Sequence, residues 1–185
     1  MTHSNHLEHW LAQEREITAV MDAGPGPGVA RPDQIAGKTG LEMMQAMLRG
    51  EIPYAAIAKT LDFLIVEVDA GRAVFQGAPG PQHLNPLGGI HGGWYATLLD
   101  SALGCAVHTL LPAGRAYTTA ELSVNLVRAI PIGKDSKAPR VRAEGKVIHC
   151  GRQLATAEAR IVGPDGTLYA HGTTTCLVFE MPRQA

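Results

Sequence analysis

The sequence predicts an α+β fold in which a strongly curved antiparallel β-sheet wraps around one long central α-helix, with a helical extension in front. Three observations carry this prediction. Residues 91–111 run without proline and are rich in Ala and Leu, long enough for about five turns of helix. Two short β-like runs precede that stretch, and beyond it the apolar period changes to two. A sheet with one apolar face needs a cover, and the 91–111 helix is the long one available.

In chain order, Leu7, Trp10, Leu11, Ile17 and Met21 fall near one face of a 3.6-residue period, which predicts an amphipathic helix over residues 5–21. Gly24-Pro25-Gly26-Pro27-Gly28 stops it. Residues 41–48 read as a second short helix and 57–60 as a helical turn. Residues 1–40 are therefore a helical extension with a Gly/Pro linker, and 41–185 the main domain; the front helices are lids or packing elements. Residues 63–68 and 72–76 are β-like around Asp69-Ala70-Gly71, which suits a hairpin. A Pro/Gly-rich loop over 77–89 then leads into the central helix.

After Pro112-Ala113-Gly114, Ala120, Leu122, Val124 and Leu126 alternate with Glu121, Ser123 and Asn125, giving a long half-buried strand. Val141, Ala143, Gly145 and Val147 form a second such set, and Ala155, Ala157, Ala159 and Ile161 a third. Turns at 150–152 and 164–166 separate them, and a last strand spans 168–179. Strands joined in succession are expected to form an antiparallel meander.

Composition removes several classes of function. Lys+Arg 16 against Asp+Glu 17 in 185 residues leaves no general charge to neutralise nucleic-acid phosphates, so an anionic ligand must meet a local patch. The length fits one domain. Three cysteines, Cys105, Cys150 and Cys176, with no C-x-x-C, point to a reducing compartment. No apolar run approaches the ~20 residues of a membrane span, and the first 21 residues carry no secretory apolar stretch, so the expected location is cytoplasmic, with no membrane partner. His83, His108, His149 and His171 lack metal-ligand spacing, and no metal is expected. Neither a G-x-S-x-G elbow nor a phosphate-cradling G-x-x-x-x-G-K-[ST] loop is present.

The chemistry concentrates between residues 85 and 104. His91-Gly92-Gly93 stands where the loop enters the helix; the first N–H groups there have no carbonyl partner within the helix, and glycine allows close approach to them. Such a site can hold an oxyanion, or it can be a plain entry turn with His91 as a cap. Asp100 lies well inside the helix between Leu98, Leu99, Ala102 and Leu103, where a charge is costly unless something offsets it, so it is either a functional carboxylate or one that is solvated or capped by a neighbour. Gly93, Ala96, Thr97, Ser101 and Gly104 form a face of small residues around it. Gly92 and Asp100 are eight residues apart, about 12 Å along one helix axis. A carboxylate directing attack on a carbonyl and a donor holding its oxygen must both lie within ~3 Å of one reacting group. One helix cannot easily do both, so the spacing predicts a site shared across a two-fold and an obligate homodimer.

Asn85-x-x-Gly88-x-x-His91-Gly92-Gly93, then Leu-Leu-Asp100-Ser, then Thr118-Thr119-Ala-Glu-Leu-Ser-Val-Asn125-Leu-Val-Arg128, resembles the PaaI-like (phenylacetate-degradation type) hotdog thioesterases over residues 61–178. The resemblance implies hydrolysis of an acyl-CoA, with coenzyme A as part of the substrate and no separate cofactor. It implies Asp100 as nucleophile or general base, and the Gly92 N–H on the thioester carbonyl with Asn85 and His91 positioning it. It places Thr119 where a hydroxyl orients the water or the Asp. Strand alternation instead turns Thr118 toward the helix, so either a bulge intervenes or Thr118 is the participant. It further implies a homodimer, or a dimer of dimers, with sites at the subunit interface. Between residues 115 and 160 basic residues outnumber acidic ones, which suits either a solvated strand face of mixed charge or contacts to coenzyme A, and for the latter Arg128 and Arg152, with Gly93, are the expected residues. Trp94, Tyr95, Met43, Met44, Met47, Leu61 and Phe63 are available for an aryl or medium-chain acyl pocket, or for core. Two other functions fit this fold: an enoyl-thioester hydratase, which would want an Asp-x-x-x-x-His pattern that is missing, and a non-catalytic acyl-CoA sensor, which gains nothing from a costly carboxylate.

Overall fold

A computed structural model describes residues 3–133 and 138–181. Six strands, β1 (Phe63–Asp69), β2 (Arg72–Gly77), β3 (Arg115–Leu126), β4 (Val141–Cys150), β5 (Leu154–Val162) and β6 (Leu168–Glu180), form one antiparallel sheet. The order is β1-β2-β4-β5-β6-β3. The expected meander holds for β4, β5 and β6. It fails for β3, which lies beside β6 at the far edge while β2 takes the place next to β4. The cause is the connection from residue 127 to 140, too long for a hairpin turn and long enough to cross the end of the sheet. Lys134, Asp135 and Lys137, part of the basic stretch, lie outside the described residues.

The central helix, α5 (Gly92–His108), stops three residues before the expected end. Thr109 closes it: its hydroxyl donates to the Ala106 carbonyl (2.6 Å) and accepts the Gly71 N–H of the β1–β2 turn (2.7 Å). Leu98, Leu99, Ala102, Leu103, Ala106 and Val107 are wholly buried against the sheet. Beneath them the alternation read from the sequence puts small side chains inward: Ala143 and Gly145 on β4, and Ala155, Ala157 and Ala159 on β5. A Cβ on Gly145 would stand 2.2 Å from the Ala102 carbonyl oxygen, so helix and sheet meet backbone to backbone at that point.

The front helices are α1 (His3–Ala23), α2 (Pro32–Ile35), α3 (Gly40–Leu48) and α4 (Ala56–Thr60). The short α2 was not expected from the sequence; its helical turn opens on Pro32. Helix α3 begins with a capping box in which Thr39 and Glu42 exchange hydrogen bonds. Its first residue, Gly40, donates to the Leu111 carbonyl (2.9 Å), which ties it to the end of α5. Helix α1 docks on the other face of the sheet through polar groups. Buried Arg142 of β4 donates to Gln13 (2.6 Å), Gln76 (2.7 Å) and Glu67 (2.9 Å), and its guanidinium lies 4.6 Å from the Trp10 ring centre. Among the described residues no helix is long and apolar enough to cross a membrane.

Candidate active site

Asp100 stands on the third turn of α5, half-buried, and the Thr119 hydroxyl donates to its Oδ1 at 3.0 Å. A β-bulge makes this contact. Thr119 pairs with Cys176 and Glu121 with Thr175, so Ala120 has no opposite residue. Leu122 and Val124 are turned inward after the bulge, as the alternation predicts, but Tyr117 and Thr119 are turned inward before it, and Thr118 is exposed. Of the two threonines left open by the sequence, the structure brings Thr119 to the carboxylate.

The loop ahead of α5 is shaped by Asn85, whose Oδ1 accepts from the Leu87 N–H (2.9 Å) and the Gly89 N–H (3.1 Å). His91 is the helix N-cap, its Nδ1 accepting from the Gly93 N–H at 2.9 Å. Asn85 and His91 thus both build the entrance, and the Gly93 amide is engaged by the cap. The Gly92 N–H has no acceptor among the described residues, and its backbone lies against Leu126 at the far end of β3. Gly92 and Asp100 share one unbroken helix, so the separation of about 12 Å stands. Ser101 and Thr97 donate to the carbonyls of Thr97 and Gly93, four residues back, which engages both hydroxyls within the helix.

Asp100 borders a cavity of about 220 Å³. Ile65 and Phe75 of β1 and β2 form one side and Tyr117 of β3 the other, while Met44, Met47 and Ile57 close it from α3 and α4. The cavity thus fills the seam between the two edge strands. Of the residues considered for a pocket, Met44, Met47 and Phe63 line it. Trp94 and Tyr95 are core instead: the indole N–H donates to the Leu61 carbonyl (2.8 Å), and the Tyr95 hydroxyl accepts the Ile130 N–H (2.9 Å). A second hollow, about 310 Å³, shares Met21, Tyr54 and Phe63 but is ringed by Glu14, Asp22, Lys59, Asp62 and Arg140 and does not reach Asp100.

The titratable neighbours of Asp100 are held neutral. Cys105 is partly exposed as a residue but its thiol is enclosed; burial, and then the nearby Asp100 charge, pushes it up to about 12. Burial likewise raises Tyr117 and Cys176. Sequence reasoning missed Tyr117 and Cys105. An aromatic two residues before Thr119, with Gly104 one turn beyond Asp100 to receive its hydroxyl end, was the available signal. Arg128 and Arg152 are both exposed and are not brought together in one chain. Arg152 accepts on its carbonyl from Arg115 at the start of β3, whereas Arg128 follows the end of β3, on the order of 35 Å away along the strand. Among the described residues no three His, Cys, Asp or Glu side chains converge as a metal site.

Residues 87–170 match the Thioesterase superfamily. A curated relative from Halobacterium salinarum, provisionally named an esterase, is 34% identical over 86 residues, 46% of this chain; the match spans 54% of that relative's length. Among solved structures, a phenylacetic acid degradation-related protein from Ralstonia eutropha JMP134 is 30% identical, with a TM-score of 0.63 over 72% of this chain and 97% of that one. A thioesterase family protein from Silicibacter pomeroyi is 26% identical, with a TM-score of 0.60 over 68% and 90%. The E. coli PaaI protein of the phenylacetic acid degradation operon, 23% identical with a TM-score of 0.64 over 77% and 94%, agrees in fold. By sequence and by architecture, the chain belongs to the thioesterase superfamily, among the PaaI-like hotdog-fold proteins.

Proposed function

We propose that the protein hydrolyses an acyl-CoA thioester, with Asp100 as the carboxylate that attacks the carbonyl or activates water for the attack. The observation that carries this reading is Asp100 itself: a half-buried carboxylate at the border of an apolar cavity, oriented by one hydroxyl donated across a bulge. Family membership supports the reaction class.

The oxyanion donor in this reading is the Gly92 N–H of a second subunit. Strand β3 is an edge of the sheet, with Thr119 beside Asp100 near one end and Leu126 against Gly92 at the other. Two copies paired antiparallel along β3, with the two-fold between Leu122 and Ser123, bring Leu126 and Gly92 of one copy opposite Thr119 and Asp100 of the other. The same pairing carries Arg128 of one copy toward the end of β3 where the other holds Arg115 and Arg152. A coenzyme A phosphate would then meet guanidinium groups from both subunits.

The test is release of free thiol from a panel of acyl-CoA thioesters, followed with a thiol-trapping dye. Asp100→Ala is expected to abolish release while the dimer persists; undiminished turnover in that variant refutes the reading. Mixing inactive Asp100→Ala and Asn85→Ala subunits is expected to restore part of the activity once exchange is confirmed. Silence in the mixed dimer would remove the shared site.

A further inference from the structure

We infer that the N-terminal segment of this chain supplies the adjustable wall of the acyl site: the acyl group enters the 220 Å³ cavity, lies along Ile65, Phe75 and Tyr117 of the sheet, and packs on Met44 and Met47 of α3 and Ile57 of α4, which select its size. This rests on the thioesterase reading above and adds the class of acyl group and the residues that select it. The hollow opens to solvent beside Ile57, which is 50% exposed, so a ligand can reach it, and ligand sites are concave, mostly apolar clefts that carry a few polar groups. Most of its wall is apolar; Asp100 and Ser101 stand at one end beside the neutral Cys105 and Tyr117, and Ser101 is already bonded to the Thr97 carbonyl. An occupant with a polar reacting end and an apolar body fits that division. Methionine suits such a wall, being unbranched and able to repack around different shapes.

The volume bounds the occupant. A cavity of about 150 Å³ holds a benzene ring, six carbons. In proportion, 220 Å³ holds about nine carbons, so the acyl group is a ring with a short arm or a straight medium chain. The charged hollow beyond Phe63 and Tyr54 limits further extension, because Glu14, Asp22, Asp62 and Arg140 would have to shed water against a hydrocarbon end.

The experiment compares non-hydrolysable S-octyl-CoA and S-butyl-CoA thioethers by calorimetry, alongside kcat/KM for octanoyl- and butanoyl-CoA. Each buried methylene tightens binding about fourfold, so the octyl compound, four methylenes longer, is expected to bind about 200-fold more tightly than the butyl one. Met47→Trp, which fills the cavity, is expected to bring that ratio below about tenfold. Ile57→Trp, at a half-exposed position where folding is not at risk, should reduce it in the same direction. Met47→Ala should move the preference to longer chains. Unaltered ratios in all three folded variants overturn the inference even where hydrolysis is normal. A length-dependent thioether affinity that Met47→Trp removes, in a protein that releases no thiol, leaves the inference standing and the hydrolytic reading refuted.

Discussion

Replacing Thr119 by valine removes one hydroxyl of nearly the same shape and tests the bulge and the carboxylate together. The hydroxyl stands 3.0 Å from Asp100 Oδ1 and is the donor that fixes how the carboxylate points. A hydrogen bond to a charged group contributes about 1.5–3 kcal/mol, which corresponds to a rate loss of about tenfold to 150-fold if that orientation is needed in the transition state. The loss should fall on kcat, since in the proposed mechanism the hydroxyl faces the attacking carboxylate and does not line the cavity. Thr119→Ser should retain most of the activity. Thr118→Val, on the exposed side of the strand, should stay within about twofold, as surface substitutions usually do. The assay is kcat and KM for one good acyl-CoA substrate, with the urea midpoint of each variant as the check on folding. A normal Thr119→Val beside a crippled Thr118→Val would put the working register one residue over and refute the role assigned to the bulge.

Truncating Arg142 to Ala leaves the side-chain oxygens of Gln13 and Gln76 without this donor, while Glu67 keeps its ion pair with Arg72, and should cost about 1–3 kcal/mol for each oxygen left unpaired, read by urea unfolding, with Arg142→Met costing less. Gly145→Ala places a methyl carbon 2.2 Å from the Ala102 carbonyl oxygen and should destabilise by about 1–3 kcal/mol or more, whereas Gly166→Ala, in open space at φ +82°, should cost only about 1 kcal/mol. Burial pushes the His108 imidazole below its ordinary value of 6.5, and its Nδ1 has no partner. The unfolded chain therefore binds a proton that the folded one refuses, and stability should fall as pH drops through 6.5 toward the lowered folded value. His108→Phe should lose less stability than the native protein between about pH 7.5 and 5.5; equal slopes in urea titrations would contradict this assignment.

Much of the architecture was legible because local chemistry and tertiary burial agree along the second half of the chain. The inward set Ala143, Gly145, Ala155, Ala157, Ala159 and Ile161 follows the period of two, and His91 marks the start of α5 because it caps it. What was hidden lies where a local rule is broken without a marker. The bulge at Ala120 carries no glycine or proline, so the alternation read backward from Leu122 selects the wrong threonine to face the helix. The place of β3 depends on the long 127–140 connection: its length argues against a hairpin, but the sequence does not say which edge of the sheet the strand then joins. The cavity beside Asp100 was half visible: Met44, Met47 and Phe63 line it, yet nothing in their spacing separates them from Trp94 and Tyr95, which found core partners for their polar tips.

The floor of alanine and glycine beneath α5 has a consequence for how such a protein can change. Because backbone touches backbone at Gly145 and Ala102, no side chain there can grow, and the helix has no room to slide or roll. Substitutions are therefore tolerated less along this contact than in α3 and α4, which meet the cavity through flexible side chains. A lineage carrying this floor could diversify what it accepts while its buried stem stayed almost fixed.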